Sequence, residues 1–156
     1  MSKIYSLCWQ KVPSEPVEPY HYSRDSVDRV NLIAGHGIEG DLKAGHHPDR
    51  HLNVMSFETL ETLRAEGFKT NPGEMGEQII VSELIIDSLI PGTQLQFGDE
   101  AVIEITKPRT GCEWFEKVQG KSPKEAVNRM GVMAKVVKSG VVNIGDPIRV
   151  LETAAK

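Results

Sequence analysis

The chain has 156 residues and a formal net charge of −4, with hydrophobic and charged fractions that are ordinary for a globular protein. This length fits a single domain over residues 1–156, with its core at about 27–151 and a tail at 152–156. No apolar run approaches the length of a membrane span and no signal segment begins the chain, so we expect a cytoplasmic protein without membrane contact. An acidic chain is also a poor general nucleic-acid binder, which argues against nucleic-acid partners.

Short β-type runs separated by Gly, Pro and Asp follow one another along the chain. The first is Lys3–Gln10 and the second is Val27–Ala34. A stretch that is too glycine-rich for regular structure, 35–45, is predicted to be a loop. A helix is predicted after Ser56, which would cap an apolar stripe at helical spacing, and Gly67 would end it.

The second half of the chain continues this pattern. Gly-Asp steps at 98–99 and 145–146 each come before a strand-like run and predict turns, and residues 131–140 predict a hairpin. Counting these runs gives roughly seven to nine strands with two or three short helices, and no strand–helix–strand rhythm. The sequence therefore predicts a mainly β, mixed-strand, β-barrel-like fold and argues against a doubly wound parallel sheet.

Three histidines lie close together in the sequence, at His46, His47 and His51, and the last two have the i, i+4 spacing of a helical metal pair. Pro48 lies between them and disfavours a helix. The chain has neither Cys-x-x-Cys nor His-Glu-x-x-His. Polar loop histidines lining a pocket are therefore the preferred interpretation, and metal binding by the cluster stays open.

Cys112 follows a strand-like run at 101–106 and begins a helix-like pattern. A helix N-terminus and the nearby Arg109 both favour the thiolate, the form that ligates soft metals, carries sulfur or attacks electrophiles. Residues 107–129 contain six basic and three acidic residues, a local charge of +3, which suits a small phosphorylated anion. The alternative is a half-buried structural cysteine. With Cys8 as the second cysteine of the chain, no disulfide framework is indicated.

Several segments, taken in order, resemble the MOSC domain, named for the C-terminal part of molybdenum cofactor sulfurases. The family's Gly-x-x-Gly-Asp-x-x-Ala-Gly segment resembles residues 37–45, and its Arg-strand-Ser-x-Glu stretch resembles residues 50–58. Its Pro-Gly-x-Phe-Gly-Glu-Asn-x-x-Val segment resembles residues 72–81. The order is completed by Gly98-Asp99, Thr106-Lys-Pro-Arg109, Cys112 and Gly145-Asp146.

The chain departs from the family's pattern at three positions, which concern the pocket rather than the fold. Met75 stands where the family usually has Phe, and Gln78 stands where it usually has Asn. Gly111 precedes the cysteine, where the family often has Pro.

The resemblance implies a pocket for a molybdopterin-type cofactor, with Cys112 as persulfide carrier or as molybdenum ligand. The first hypothesis is a stand-alone sulfur carrier, the second a small molybdenum reductase of N-hydroxylated compounds, and the third a non-catalytic pterin-binding chaperone. The chain has no room for the pyridoxal-phosphate domain of the larger sulfurases, so a cysteine desulfurase or a redox protein is expected as partner. The candidates for binding the phosphorylated pterin are Gly40, Asp41, Arg50, Gly76, Glu77, Lys107, Arg109 and Gly111.

Overall fold

The computed structural model describes residues 1–9, 25–41, 44, 45, 47–110, 116 and 119–152. Cys112, Gly111 and His46 lie outside the described residues, as do the last four residues of the predicted tail. Within the described part, the chain forms eleven strands, one α-helix and two 3-10 helices, Ile86–Ser88 and Pro123–Ala126. The strands and the α-helix are β1 Lys3–Trp9, β2 Asp25–Val27, β3 Arg29–Ile33, β4 Gly37–Ile38, β5 Leu52–Ser56, α1 Phe57–Ala65, β6 Ile79–Ser82, β7 Gln94–Phe97, β8 Ala101–Pro108, β9 Val132–Lys138, β10 Gly140–Asn143 and β11 Ile148–Glu152.

Eight of the strands form one mixed sheet in the order β11-β7-β8-β9-β5-β6-β1-β2, and the other three form a second sheet in the order β10-β3-β4. The mainly β, mixed-strand prediction is confirmed. The large sheet does not close into a barrel, since β11 and β2 are its edges. An isolated bridge between Lys3 and Pro147, and a hydrogen bond from Ile148 N–H to the Ser2 carbonyl, nevertheless link β1 to the segment that leads into β11.

The main core lies on the inner face of the large sheet. Leu7, Val54 and Ile79 are in register across β1, β5 and β6 and are fully buried in this core. The second sheet contributes Leu32 and Val142 to the same cluster. The opposite face of the sheet is also dry beside α1, where Met55 and Ile80 pack in a second apolar cluster.

Helix α1 connects β5 to β6, which pair in parallel, so the chain does contain one strand–helix–strand unit that the sequence did not indicate. Ser56 is at the N-cap position, but its hydroxyl donates to the Leu84 carbonyl and accepts from Ile86 N–H, so it does not cap the helix. Gly67 ends the helix as predicted. It has φ +96°, and it and Phe68 donate to the carbonyls of the last turn in a Schellman arrangement.

The hairpin predicted at 131–140 is wrong. β9 pairs with β8 and β5, whereas β10 leaves the large sheet and pairs with β3. Gly140 is at this transition, and a Cβ added there would lie 2.7 Å from the Ala101 backbone nitrogen. No helix in the described part of the chain is long and apolar enough to cross a membrane.

Candidate functional site

A row of buried polar side chains lies on the outer face of the large sheet. Because Leu7, Val54 and Ile79 point into the main core, their chain neighbours Cys8, Asn53 and Gln78 point to the opposite side. All three are buried. We call Cys8, Gln78 and Asn53 the polar row. Burial of polar side chains away from the dry core requires that each be hydrogen-bonded.

Gln78 supplies most of those hydrogen bonds. Its Oε1 accepts from the Asn53 backbone N–H at 2.7 Å, and its Nε2 donates to Asp41 Oδ2 at 3.2 Å. Asn53 Nδ2 in turn donates to the Gly76 carbonyl at 3.1 Å. The network thereby joins two sequence-predicted site residues, Asp41 and Gly76, through a pair of buried amides.

Gly40 and Asp41 belong to the glycine-rich stretch, which is not entirely a loop because it contains the two-residue strand β4. Asp41 is buried, whereas Gly40 is exposed and has φ +86°, a left-handed conformation that favours glycine. A Cβ at Gly40 would lie 2.8 Å from the Trp9 ring. The close approach of this backbone to Trp9 at the end of β1 brings the stretch next to the polar row.

Glu77 shapes the second glycine-containing loop, residues 69–77, hereafter the 69–77 loop. Its carboxylate is fully buried, with Oε2 accepting from Gly73 N–H at 2.7 Å and Oε1 accepting from Met75 N–H at 3.1 Å. Gly76 is also buried, and its N–H donates to the Gly73 carbonyl. Glu77 therefore holds the loop that faces the polar row by bonding two of its backbone amides.

Arg109 is buried directly after β8, and its guanidinium donates to the Met75 carbonyl. Its backbone N–H donates to the Gly131 carbonyl at 3.0 Å. A permanent charge is thus brought from the end of β8 to the 69–77 loop. Burial of an arginine requires such hydrogen-bond acceptors, because an unpaired buried charge is costly.

The other cationic candidates are on the surface. Lys107 is exposed and opposes Met133 across the β8–β9 pair, and Met133 opposes Asn53 across the next pair, so Lys107 continues the line of the polar row. Lys107 also lines a cleft of about 350 Å³, together with His47, Asp49, Glu104 and Lys135. Arg50 is exposed. The two lysines of this cleft are accompanied by two carboxylates, and Lys135 Nζ lies 3.6 Å from Glu104 Oε2.

His47 and His51 differ in their burial. His47 is exposed and its Nδ1 accepts from Asp49 N–H, whereas His51 is buried and its Nδ1 accepts from Val136 N–H at 2.9 Å. Burial lowers the pKa of His51, and the nearby His36 lowers it further, so both favour the neutral imidazole. Among the residues that the structure describes, no group of three His, Cys, Asp or Glu side chains is arranged to hold a metal.

Sequence reasoning missed two members of this region. Gln78 was noted for departing from the family's pattern, but nothing in the sequence shows that its amide joins β5 to Asp41. Gln119, which is buried, bonds the 69–77 loop from fifty positions away in the chain. The structure brings together Gly40, Asp41, Gly76, Glu77, Lys107 and Arg109 around the outer face.

Three crystal structures are similar to this chain in fold. The YUAD protein from Bacillus subtilis is 20% identical, with a TM-score of 0.75 over 95% of this chain and 94% of that one. YiiM from Geobacillus stearothermophilus is 19% identical, with a TM-score of 0.73 over 97% and 76%. YiiM from Escherichia coli is 18% identical, with a TM-score of 0.73 over 99% and 72%. No curated protein matches the sequence significantly.

At 18–20% identity these structures show the fold alone. A family model assigns the chain to a family. The model of the MOSC domain matches residues 41–149, which is more than two thirds of the chain. The match includes Asp41, the polar amides Asn53 and Gln78, and Arg109. The resemblance noted in the sequence is thereby confirmed, and the chain belongs to the MOSC domain family, a family associated with binding of the molybdenum cofactor.

Proposed function

We propose that this protein binds the molybdenum cofactor on the outer face of the large sheet and carries sulfur on Cys112. The observation that supports this most is the buried polar row, which joins Asp41 to the 69–77 loop on the face where Lys107 is exposed. Buried amides and a carboxylate beside exposed cations are groups that an anionic heterocycle requires. The same segments are within the match to the MOSC domain.

The described residues fit the cofactor's chemistry. A pterin ring has donors and acceptors along its edges, and Asp41, Asn53 and Gln78 carry both kinds of group. In this structure those groups bond to one another and to the Gly76 carbonyl, so they would have to exchange bonds with the ring. A phosphate requires cations or free amides, and Lys107 supplies an exposed ammonium group on the same face. When bound, the cofactor would supply molybdenum and its sulfur ligands. The chain's own residues would bind it, orient it and exclude water from its buried edge.

Cys112 is three positions after the buried Arg109 in the sequence. Arg109 is itself bonded to the 69–77 loop. A cationic residue near a cysteine favours the thiolate, and a thiolate is the form that accepts sulfane sulfur.

The sulfur-loading step requires a donor persulfide, R–S–SH. The Cys112 thiolate attacks the terminal sulfur, a new S–S bond forms at Cys112, and the donor's S–S bond breaks. The donor leaves as a thiolate, so no external oxidant or reductant is consumed. A cysteine desulfurase is the class of partner that presents such a persulfide.

Loading with a cysteine desulfurase and cysteine tests the proposal. We expect a mass increase of about 32 Da per sulfur at Cys112, removed by a reductant, and no increase in Cys112→Ser. Peptide mass mapping of the wild-type protein provides an internal reference, because Cys8 is fully buried and is expected to remain unmodified.

Two outcomes would contradict the carrier role. One is a wild-type protein that never gains sulfur at Cys112 under conditions in which the desulfurase loads another acceptor. The other is molybdenum that co-purifies in near-stoichiometric amount with reduction of an N-hydroxylated base and no persulfide. The second result would favour the molybdenum reductase instead.

A further inference from the structure

The edge of β9 continues past the residues that β5 pairs with. The pairing ends at Leu52, opposite Ala134, and Val136 lies two residues further along β9. Since every second residue of an antiparallel strand directs its backbone groups to the same neighbour, those of Val136 face the side of β5. Its N–H donates to His51 Nδ1 at 2.9 Å, and its carbonyl accepts from Gly35 N–H at 3.0 Å. The His51 ring and Gly35 therefore take the place of a strand at this edge.

Residues 35–41, hereafter the 35–41 segment, lie directly on His51. Gly37 has φ +124°, and a Cβ added there would lie 3.2 Å from the His51 carbonyl oxygen. His51 is itself buried beneath this contact, with 2% of its surface exposed. At the other end of the segment, Asp41 accepts from Gln78 Nε2 in the polar row. His51 thus lies between the edge of β9 and the segment that carries Asp41.

The bond between Val136 N–H and the His51 ring requires a neutral imidazole. Nδ1 accepts a hydrogen bond only while it carries no proton, so the ring hydrogen is on Nε2. Protonation puts a second hydrogen on Nδ1, where it would face the hydrogen of Val136 N–H. Two donors cannot bond to each other, and the backbone amide would lose its buried acceptor.

Four titratable or charged groups act on His51 from the elements packed around it. His36 is on the 35–41 segment, His47 and Asp49 are on the loop before β5, and Lys135 is on β9. The two histidines and the lysine oppose a charge on the ring, and Asp49 favours it. Burial has the largest effect and lowers the pKa of His51.

We infer that His51 is a positioning residue for the proposed cofactor site. Its neutral ring holds the 35–41 segment, and with it Asp41, against the edge of β9, and protonation of the ring releases the segment. The site is therefore complete only while His51 is neutral. The inference rests on the proposed function in one respect, that Asp41 belongs to the cofactor site.

Hydrogen–deuterium exchange of the 35–41 segment in the wild-type protein tests this between pH 7.5 and 5.5, about a unit either side of the ordinary histidine value. Each observed rate is divided by the intrinsic rate at the same pH, which removes the direct effect of pH on exchange. In the released segment His51 recovers its ordinary pKa, so proton binding favours release as the pH falls below about 6.5. We expect level protection above that pH and a loss of up to about tenfold at the lower limit.

His51→Asn keeps an acceptor for Val136 N–H and does not titrate, so its protection should stay level. His36→Asn and His47→Asn are the matched controls, because each removes a neighbouring histidine that acts on His51 and should leave the wild-type pH dependence in place. Exchange in dilute urea separates release of the segment from unfolding of the whole chain. Release exposes little surface and should depend weakly on urea, whereas global unfolding, followed at the amides of β7, depends on it steeply.

A pH-dependent loss of protection that is weakly dependent on urea and absent in His51→Asn supports the inference. Level protection in the wild-type protein would overturn it, and so would an equal loss in His51→Asn or the disappearance of the loss in either control. A urea dependence as steep as that of β7 would also overturn it, because the segment would then open only with the whole chain.

Nitrogen NMR of the histidine rings in the wild-type protein keeps the inference testable if His51→Asn does not fold. The neutral form of His51 with its hydrogen on Nε2 is expected at the upper pH limit, and a charged ring or a hydrogen on Nδ1 would contradict the assignment. None of these measurements uses a cofactor or a persulfide. A failure of sulfur loading at Cys112 therefore contradicts the proposed function and leaves the role of His51 in holding the segment in place.

Discussion

Ile79 and Gln78 are adjacent in the chain, yet their side chains lie on opposite faces of the large sheet and make different kinds of contact. Ile79 packs in the main core, among aliphatic side chains that need no hydrogen bonds. Gln78 is as deeply buried on the opposite face, where its amide joins β5 to Asp41. Depth of burial is thus the same for both residues. The outer face also has an apolar part, because Ile80 and Met55 pack there in a second cluster with helix α1. Only the chemistry of the buried groups therefore separates the candidate site from the stabilising clusters.

The largest effect on stability is expected on the inner face. Ile79→Ala should lower the free energy of unfolding by about 2–5 kcal/mol, because it removes buried methyl groups and leaves a cavity. Urea denaturation monitored by circular dichroism measures this. A loss below about 1 kcal/mol would mean that the core relaxes into the cavity. The inner face would then contribute no more stability at this position than the outer face.

A second test concerns the close approach of Gly40 to Trp9. Gly35→Ala should cost about 1–2 kcal/mol, because Gly35 also has a left-handed φ but open space around its Cβ position. Gly40→Ala should cost about 1–3 kcal/mol more, since its Cβ would also displace the Trp9 ring. Thermal unfolding of the two variants isolates the contact. Equal losses of stability in the two variants would mean that the contact with Trp9 costs nothing.

Replacement of Gln78 tests the outer face directly. Gln78→Leu should destabilise the fold by about 1–3 kcal/mol, because Asn53 N–H loses a buried acceptor and Asp41 loses a donor. Gln94→Leu is the control on the same face, where the amide bonds only the half-buried Glu104. If the two variants are equally stable in urea, the hydrogen bonds of Gln78 contribute no more to stability than the Gln94–Glu104 hydrogen bond.

The smallest effect is expected from pH. Burial lowers the pKa of His51, so below the ordinary histidine value of about 6.5 the unfolded chain binds the proton more readily than the folded one. Stability should therefore be level above that pH and fall as the pH drops below it. His36, Lys135 and His47 oppose the charge on His51, and Asp49 favours it.

His51→Asn keeps an acceptor for Val136 N–H and removes the titration. We expect its urea midpoint to change less than that of the wild-type protein between pH 7.5 and 5.5, both taken as about a unit either side of the histidine value. An equally steep decline in both proteins would assign the dependence to other groups.

The turns and the end of the helix depend on residues that are close in the sequence, and the sequence predicted them. The Gly-Asp steps form turns as expected, with Gly98 at φ +66° and Gly145 at φ +91°, and Gly67 ends the helix. The strands β2 and β4 have three and two residues, too few for an alternation to show, so the sequence underestimated the number of strands.

The missed features all depend on contacts between distant parts of the chain. Ser56 has the residue type and position of a cap, but the carbonyl of Leu84 and the amide of Ile86 take its hydroxyl. The segment 131–140 has the pattern of a hairpin, but β10 pairs with β3 and not with β9. Likewise, no spacing rule connects Gln119 to Met75. The candidate site is built almost wholly from such pairs, which is why its geometry could not be predicted from the sequence.

The pairing of β3 with β10 has a consequence for how the chain folds as it is made. Ala34 N–H bonds the Ser139 hydroxyl across 105 positions, and the Lys3–Pro147 bridge spans nearly the whole chain. Such closures cost chain entropy before they gain contacts, so folding is expected on the order of milliseconds to seconds rather than microseconds. An N-terminal fragment emerging from a ribosome would contain β3 and β4 but not β10, and the second sheet would be complete only once synthesis has passed β10.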